Sequence, residues 1–176
     1  MEWLNAPSAC EVQGSQIVVA TRAKSDFWRK THYGFIRDTG HFYSQPVKGD
    51  FTAEVKFTGQ YHALYDQAGL MVRVDESNWI KCGIEFVDGV QQASSVVTRD
   101  FSDWAVIPLP QNPPSLWLRL TRQGMALEAW YSLDGERYNL LRLTYLPMPE
   151  TASVGLMCAS PDGPGFTVTF EGFTIR

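Results

Sequence analysis

The chain has 176 residues, of which 44% are hydrophobic, 13% aromatic and 19% charged, a balance that excludes a disordered tail, a coiled coil and a collagen-like repeat. That length fits one domain over residues 1–176 with room for a sizeable core. With 15 basic against 19 acidic residues the formal net charge is −4, so neither nucleic acid nor an anionic membrane is an expected partner.

Cys10, Cys82 and Cys158 are odd in number and lack CxxC spacing, which favours buried free thiols over a disulfide framework or a zinc site. His32, His41 and His62 have no metal-ligand spacing, and no metal or cofactor is expected. Met1 is followed by no basic flank or apolar run of signal-peptide length, and no stretch approaches the ~18 apolar residues of a spanning helix. A cytoplasmic location is the expectation.

In chain order, the first clear element starts at Phe51, where Phe51, Ala53, Val55 and Phe57 alternate with Thr52, Glu54, Lys56 and Thr58, the period of a half-buried strand. A Tyr- and His-rich loop over 59–67 follows. Leu70, Val72 and Val74 then alternate with Met71, Arg73 and Asp75, and Ile80, Cys82, Ile84 and Phe86 with Trp79, Lys81 and Glu85. A four-proline loop is expected over 108–114. Beyond it, Leu116, Leu118 and Leu120 alternate with Trp117, Arg119 and Thr121. The segment 136–146 fits a helical stripe of Tyr138, Leu141 and Tyr145, or a strand with Leu141 and Leu143 inward; strand is preferred. Phe166, Val168 and Phe170 form the last inward run, and a change of parity near Gly172 predicts a bulge. Turns at Asp88-Gly89, Gln123-Gly124, Asp134-Gly135 and 161–165 separate these runs, as in a sandwich or jelly roll.

Asp88-Gly89 predicts a two-residue hairpin turn with Val87 opposite Val90. Glu85 then faces Gln92, Gly83 faces Ser94, Lys81 faces Val96 and Trp79 faces Thr98. One sheet face carries Trp79, Lys81, Glu85, Gln92, Ser94 and Thr98, while Ile80, Ile84, Phe86, Ala93 and Val97 point into the core. A three-residue loop of Glu76, Ser77 and Asn78 keeps the preceding strand in phase and sets Arg73 opposite Lys81. Two like charges so placed require an acid such as Glu54, or a bound polar ligand, between them. At ~3.3 Å per residue, Glu85 lies about 13 Å along the strand from Lys81, too far to be that acid.

Isolated, these charges would be an ordinary solvated face. A tryptophan among them, beside the small residue Gly83, makes a platform suited to stacking a sugar ring. There is no Gly-x-Ser-x-Gly elbow, P-loop or dinucleotide fingerprint. Glycoside hydrolysis needs two carboxyl groups straddling the bond; Glu85 with Asp66 or Glu54 are candidates that no spacing singles out.

The runs Asp66-Gln67-Ala68-Gly69-Leu70-Met71-Val72-Arg73, Trp79-Ile80-Lys81-Cys82-Gly83-Ile84-Glu85, Ser95-Val96-Val97-Thr98 and Ser102-Asp103-Trp104 resemble the regulation-of-enolase type of uncharacterised domain. Asp26-Phe27-Trp28, Tyr131-Ser132-Leu133-Asp134-Gly135 and Cys158-Ala159-Ser160-Pro161 extend the resemblance over nearly the whole chain. It implies an all-β, concanavalin A-like jelly-roll sandwich of two curved antiparallel sheets, as in lectins and glucanases, with no established catalytic residues. The glucanase motif Glu-x-Asp-x-x-Glu does not occur in this sequence.

The function expected is therefore non-catalytic binding of a saccharide or similar polar metabolite. Trp79 would stack on the ligand, Arg73 and Lys81 would donate to it and Glu85 would accept, with Trp28, Asp66, Gln67, Thr98 and Trp104 at the rim. The alternatives are a carbohydrate-active enzyme with Glu85 as acid or base, and a regulatory or structural protein-interaction domain, including a homodimer.

Overall fold

The computed structural model describes residues 1–176. Sixteen strands and no helix make up the chain: β1 (Glu2–Leu4), β2 (Ala9–Gln13), β3 (Gln16–Ala20), β4 (Phe27–Arg29), β5 (Ile36–Asp38), β6 (His41–Lys48), β7 (Phe51–Gly59), β8 (Gln67–Arg73), β9 (Asn78–Val87), β10 (Val90–Arg99), β11 (Phe101–Leu109), β12 (Leu116–Gln123), β13 (Ala126–Ser132), β14 (Asn139–Tyr145), β15 (Thr151–Ala159) and β16 (Thr167–Ile175). Two seven-stranded antiparallel sheets, ordered β1-β6-β15-β8-β9-β10-β11 and β14-β13-β12-β7-β16-β3-β2, form the concanavalin A-like sandwich. The hairpin β4–β5 belongs to neither sheet.

The core between the sheets is built from the alternating positions of the sequence: Ala53, Val55 and Phe57 of β7, Leu70 and Val72 of β8, Ile80, Cys82 and Ile84 of β9, Leu116, Leu118 and Leu120 of β12, and Val168 and Phe170 of β16. Asp88 and Gly89 both have positive φ, 50° and 82°, the type I′ geometry that matches strand twist. It sets Val87 opposite Val90 and Trp79 opposite Thr98, as expected. Gly172, at φ 61°, marks the break in register between Glu171 and Thr174 on β16.

Four local expectations need correction. Segment 136–146 contains the strand β14, but a bulge opposite Ala129 and Trp130 turns Leu141 inward and leaves Leu143 outward and exposed. Phe86 is half-buried rather than a core residue, and Cys10 is exposed, while Cys82 and Cys158 are buried thiols. Between β8 and β9 the Val74 N–H still donates to the Asn78 carbonyl at 2.9 Å, so the loop has three residues as expected, but they are Asp75, Glu76 and Ser77. The Asp75 carboxylate accepts from the Ser77 N–H at 2.7 Å and the Asn78 amide at 3.0 Å, closing the turn one residue early. Arg73 therefore faces Trp79, and Lys81 faces Met71.

Candidate functional site

The face of the first sheet turned away from the core is covered. Phe27 of β4 packs with Phe42, Met71, Trp79, Val96 and Met157 into a second apolar cluster. Its ring centroid lies 6.2 Å from that of Trp79, and Gly40 leaves the room it needs, since a Cβ there would come within 2.4 Å of the Phe27 ring. Trp79 is 1% exposed. Burying such a ring removes about 150–250 Å² from water, a gross gain of at most roughly 4–6 kcal/mol. Trp79 therefore anchors the β4–β5 flap and is not the stacking platform expected.

Polar ties hold the flap down. Arg73 donates from both terminal nitrogens to the Asp38 carboxylate, at 2.7 and 2.8 Å, a bidentate pair. Arg73 thus has its acid on the flap; Glu54 instead pairs with Arg119 and Arg176 on the second sheet. Ser102 Oγ accepts from the Arg29 N–H at 2.9 Å and shares a 2.8 Å hydrogen bond with Thr98, while Arg29 and Lys30 both reach Asp100. Lys81 Nζ donates to the Phe27 carbonyl at 2.8 Å.

Beside this clamp lies a recess of about 140 Å³. Lys81 is 4% exposed at its floor, donating also to Gln67 Oε1 at 2.6 Å and lying 3.6 Å from Asp26 Oδ1. Facing positions in β8 and β9 show why this reach is open to it: Gln67 opposes Glu85 and Met71 opposes Lys81, with Gly69 opposite Gly83 between them. A Cβ on Gly83 would stand 1.9 Å from the Ala68 carbonyl oxygen, and one on Gly69 2.0 Å from that of Cys82. The floor there is bare backbone, and the lysine stem crosses it.

Glu85 completes the polar end, 8% exposed, its Oε2 accepting from Ser94 Oγ at 2.8 Å. Burial pushes its carboxyl pKa up, against the pull of Lys81 and the Ser94 hydrogen bond. Aromatic rings make the walls. Trp28, Tyr33 and Phe35 come from the flap, with Tyr33 stacked on Phe35 at 5.3 Å and edge-on to Trp28 at 5.7 Å; Tyr65 and Trp104 come from the opposite side. The Tyr33 and Tyr65 hydroxyls meet at 3.2 Å, and that hydrogen bond, with burial, raises the Tyr65 phenol to about 12. Arg37, over the Phe35 ring at 4.5 Å, completes the lining together with Pro161 and Asp162.

Of the residues selected from sequence, Trp28, Gln67, Lys81, Glu85 and Trp104 line this recess; Arg73, Trp79, Asp66 and Thr98 do not. Asp66 is fully buried, accepting from Ser160 Oγ at 2.6 Å and from the His62 and Ala63 N–H groups, so it braces its own loop. It is Asp26 that lies with Glu85 in the recess. Asp26 entered the sequence reading only within the resemblance, and Tyr65 only as part of an aromatic loop. Tyr33, Phe35 and Arg37 lie in a stretch without alternation, where aromatic density was the one available signal.

The architecture defines a concanavalin A-like β-sandwich whose outer sheet face is roofed by an aromatic hairpin. The chain belongs to the DUF1349 family of proteins of unknown function, whose profile matches residues 3–176. It is 40% identical over 173 residues to Regulation of enolase protein 1 of Saccharomyces cerevisiae, covering 98% of this chain and 87% of the yeast protein. It is 26% identical over 144 residues to a putative beta-xylosidase of Escherichia coli, 72% of this chain but 27% of that protein. A functionally unknown yeast protein of solved structure superposes with a TM-score of 0.95 at 39% identity, over 99% of this chain and 95% of the other. The carbohydrate-binding module CBM66 of Bacillus subtilis shares the fold, with a TM-score of 0.64 at 13% identity over 99% and 94% of the two chains.

Proposed function

We propose that the recess binds a single ring of a saccharide and performs no chemistry on it. The observation that carries this reading is one constellation: Asp26, Gln67, Lys81 and Glu85 at the bottom of a space walled by Trp28, Tyr33, Phe35, Tyr65 and Trp104. Aromatic faces suit the C–H faces of a sugar, and a few fixed donors and acceptors suit its hydroxyls. At about 140 Å³ the space falls below the ~300–1,000 Å³ of drug-sized sites, which favours one small polar ring. The carbohydrate-related names of the E. coli relative and of the B. subtilis module agree in kind.

Calorimetric titration with D-xylose, D-glucose and L-arabinose tests it. Binding of at least one sugar is expected, weakened at least tenfold by Trp104→Ala or Tyr33→Ala, at side chains exposed enough to spare the fold. Absence of binding to every sugar overturns the proposal.

A second reading, carbohydrate hydrolysis, is favoured by one observation: Asp26 and Glu85, whose carboxyl pKa burial raises, line the same recess. Equal background release from aryl xylosides by the wild type and Glu85→Gln would remove it.

A further inference from the structure

The recess narrows below the size of a sugar ring at one end and adjoins a larger space at the other. Past Gln67, Lys81 and Glu85, towards Gly83, Ser94 and Met157, only about 10 Å³ remains, at the lower limit for one water molecule. At the opposite end, Trp28, Tyr33 and Trp104 also line a neighbouring open groove of about 580 Å³, which runs between the flap turn at Thr31 and His32 and the edge strand at Asp103.

We infer that the protein recognises the end of a saccharide chain, one terminal ring entering the recess and the next ring lying in the groove between the β4–β5 turn and β11. This extends the saccharide-binding reading and rests on it. An internal ring carries chain on two sides and would need an exit through the floor, where the Gly69–Gly83 backbone and the Lys81 stem stand.

The two spaces also differ in chemistry. Charged and amide groups converge on the recess, whereas in the groove both tryptophan N–H groups are already used: Trp28 Nε1 donates to the Thr31 carbonyl at 2.9 Å and Trp104 Nε1 to Ser94 Oγ at 3.1 Å. The indoles are left with their ring surfaces to offer, which stack on a sugar without reading its hydroxyl pattern. Asp103 is held by Arg142 at 2.9 Å. Identity is therefore read at the first ring, and the second ring adds affinity with little selectivity.

The experiment is calorimetry with D-xylose, xylobiose and xylotriose, and with D-glucose, cellobiose and cellotriose, alongside Thr31→Trp to fill the groove. In the responding series the disaccharide should bind about tenfold tighter than the monosaccharide, with one protein per chain whatever the chain length. Thr31→Trp should bring the ratio of disaccharide to monosaccharide affinity down to about one. A disaccharide no tighter than its monosaccharide, or several proteins per trisaccharide or longer chain, overturns the end-recognition inference alone. No binding in either series overturns it together with the reading beneath it.

Discussion

Arg73 on β8 and Asp38 on the flap are bound through two parallel N–H···O contacts, at 2.7 and 2.8 Å, across a gap of 35 residues in sequence. The arginine side chain is 12% exposed and the aspartate 33%, so the pair is partly screened. Arg73→Ala and Asp38→Ala should each cost about 1–2 kcal/mol in urea unfolding, and the double variant little more than either. Additive losses would show that the two residues act separately.

Trp79→Ala should be among the most damaging single changes, costing about 3–5 kcal/mol through the cavity it leaves beneath the flap. Trp79→Phe should keep most of the stability and all of the ligand binding. Acrylamide quenching provides a second readout: the Trp79 emission should be protected, whereas that of Trp104 should not.

Gly83→Ala puts a methyl group where the Ala68 carbonyl already stands. The strands must part to admit it, and a loss of about 2–4 kcal/mol is expected. A neutral result would mean that β8 and β9 are more loosely joined here than their register implies.

Glu85 links stability to pH. Burial raises its native pKa above the ordinary 4.5, so between those two values the native state keeps a proton that the unfolded chain releases. Its contribution to stability is therefore full below about 4.5 and is lost as pH rises through the native value. Glu85→Gln, which retains an acceptor for Ser94, should remove this negative slope in chemical unfolding between pH 4 and 8. An unchanged slope would assign it to another group.

His41 has the opposite sign. Its Nε2 accepts from the Arg22 N–H at 2.9 Å and its Nδ1 donates to the Asn5 carbonyl at 2.7 Å, an arrangement that fixes the neutral ring. Burial holds its pKa below 6.5. The stability it contributes is present above pH 6.5 and is lost as pH falls through the native value. His41→Gln should be less stable at pH 7.5 and should flatten the decline on acidification, as followed by thermal unfolding between pH 5 and 7.5.

The sandwich was legible because its determinants are local. Alternation from Phe51 to Phe57 and from Leu116 to Leu120 names the core faces, and the Asp88-Gly89 turn fixes the β9–β10 register residue by residue. The β8–β9 register was less so, because the Asp75 side chain decides where the turn closes, and every partner of Arg73 and Lys81 moves with it. The roof was not legible. Phe27 meets Trp79 and the Lys81 Nζ across more than 50 residues, and nothing periodic in 22–40 announces that this stretch lies down on a sheet face. For the same reason Trp79, an apolar residue in a polar pattern, suggested a ligand where the chain supplies its own Phe27.

The bare-backbone floor and the hairpin roof divide labour in a way that bears on how such a protein can change. The floor is fixed by sheet hydrogen bonding and tolerates almost no substitution, whereas Trp28, Tyr33, Phe35 and Arg37 all lie in one contiguous excursion between β3 and β6 that contributes no strand to either large sheet. Exchanging that excursion for another of similar length, with the Phe27 plug and the Asp38 latch retained, would alter which molecules fit while leaving the sandwich intact. The fold thus keeps the aromatic wall of the recess on a replaceable cartridge, separate from the sheet positions that carry Gln67, Lys81 and Glu85.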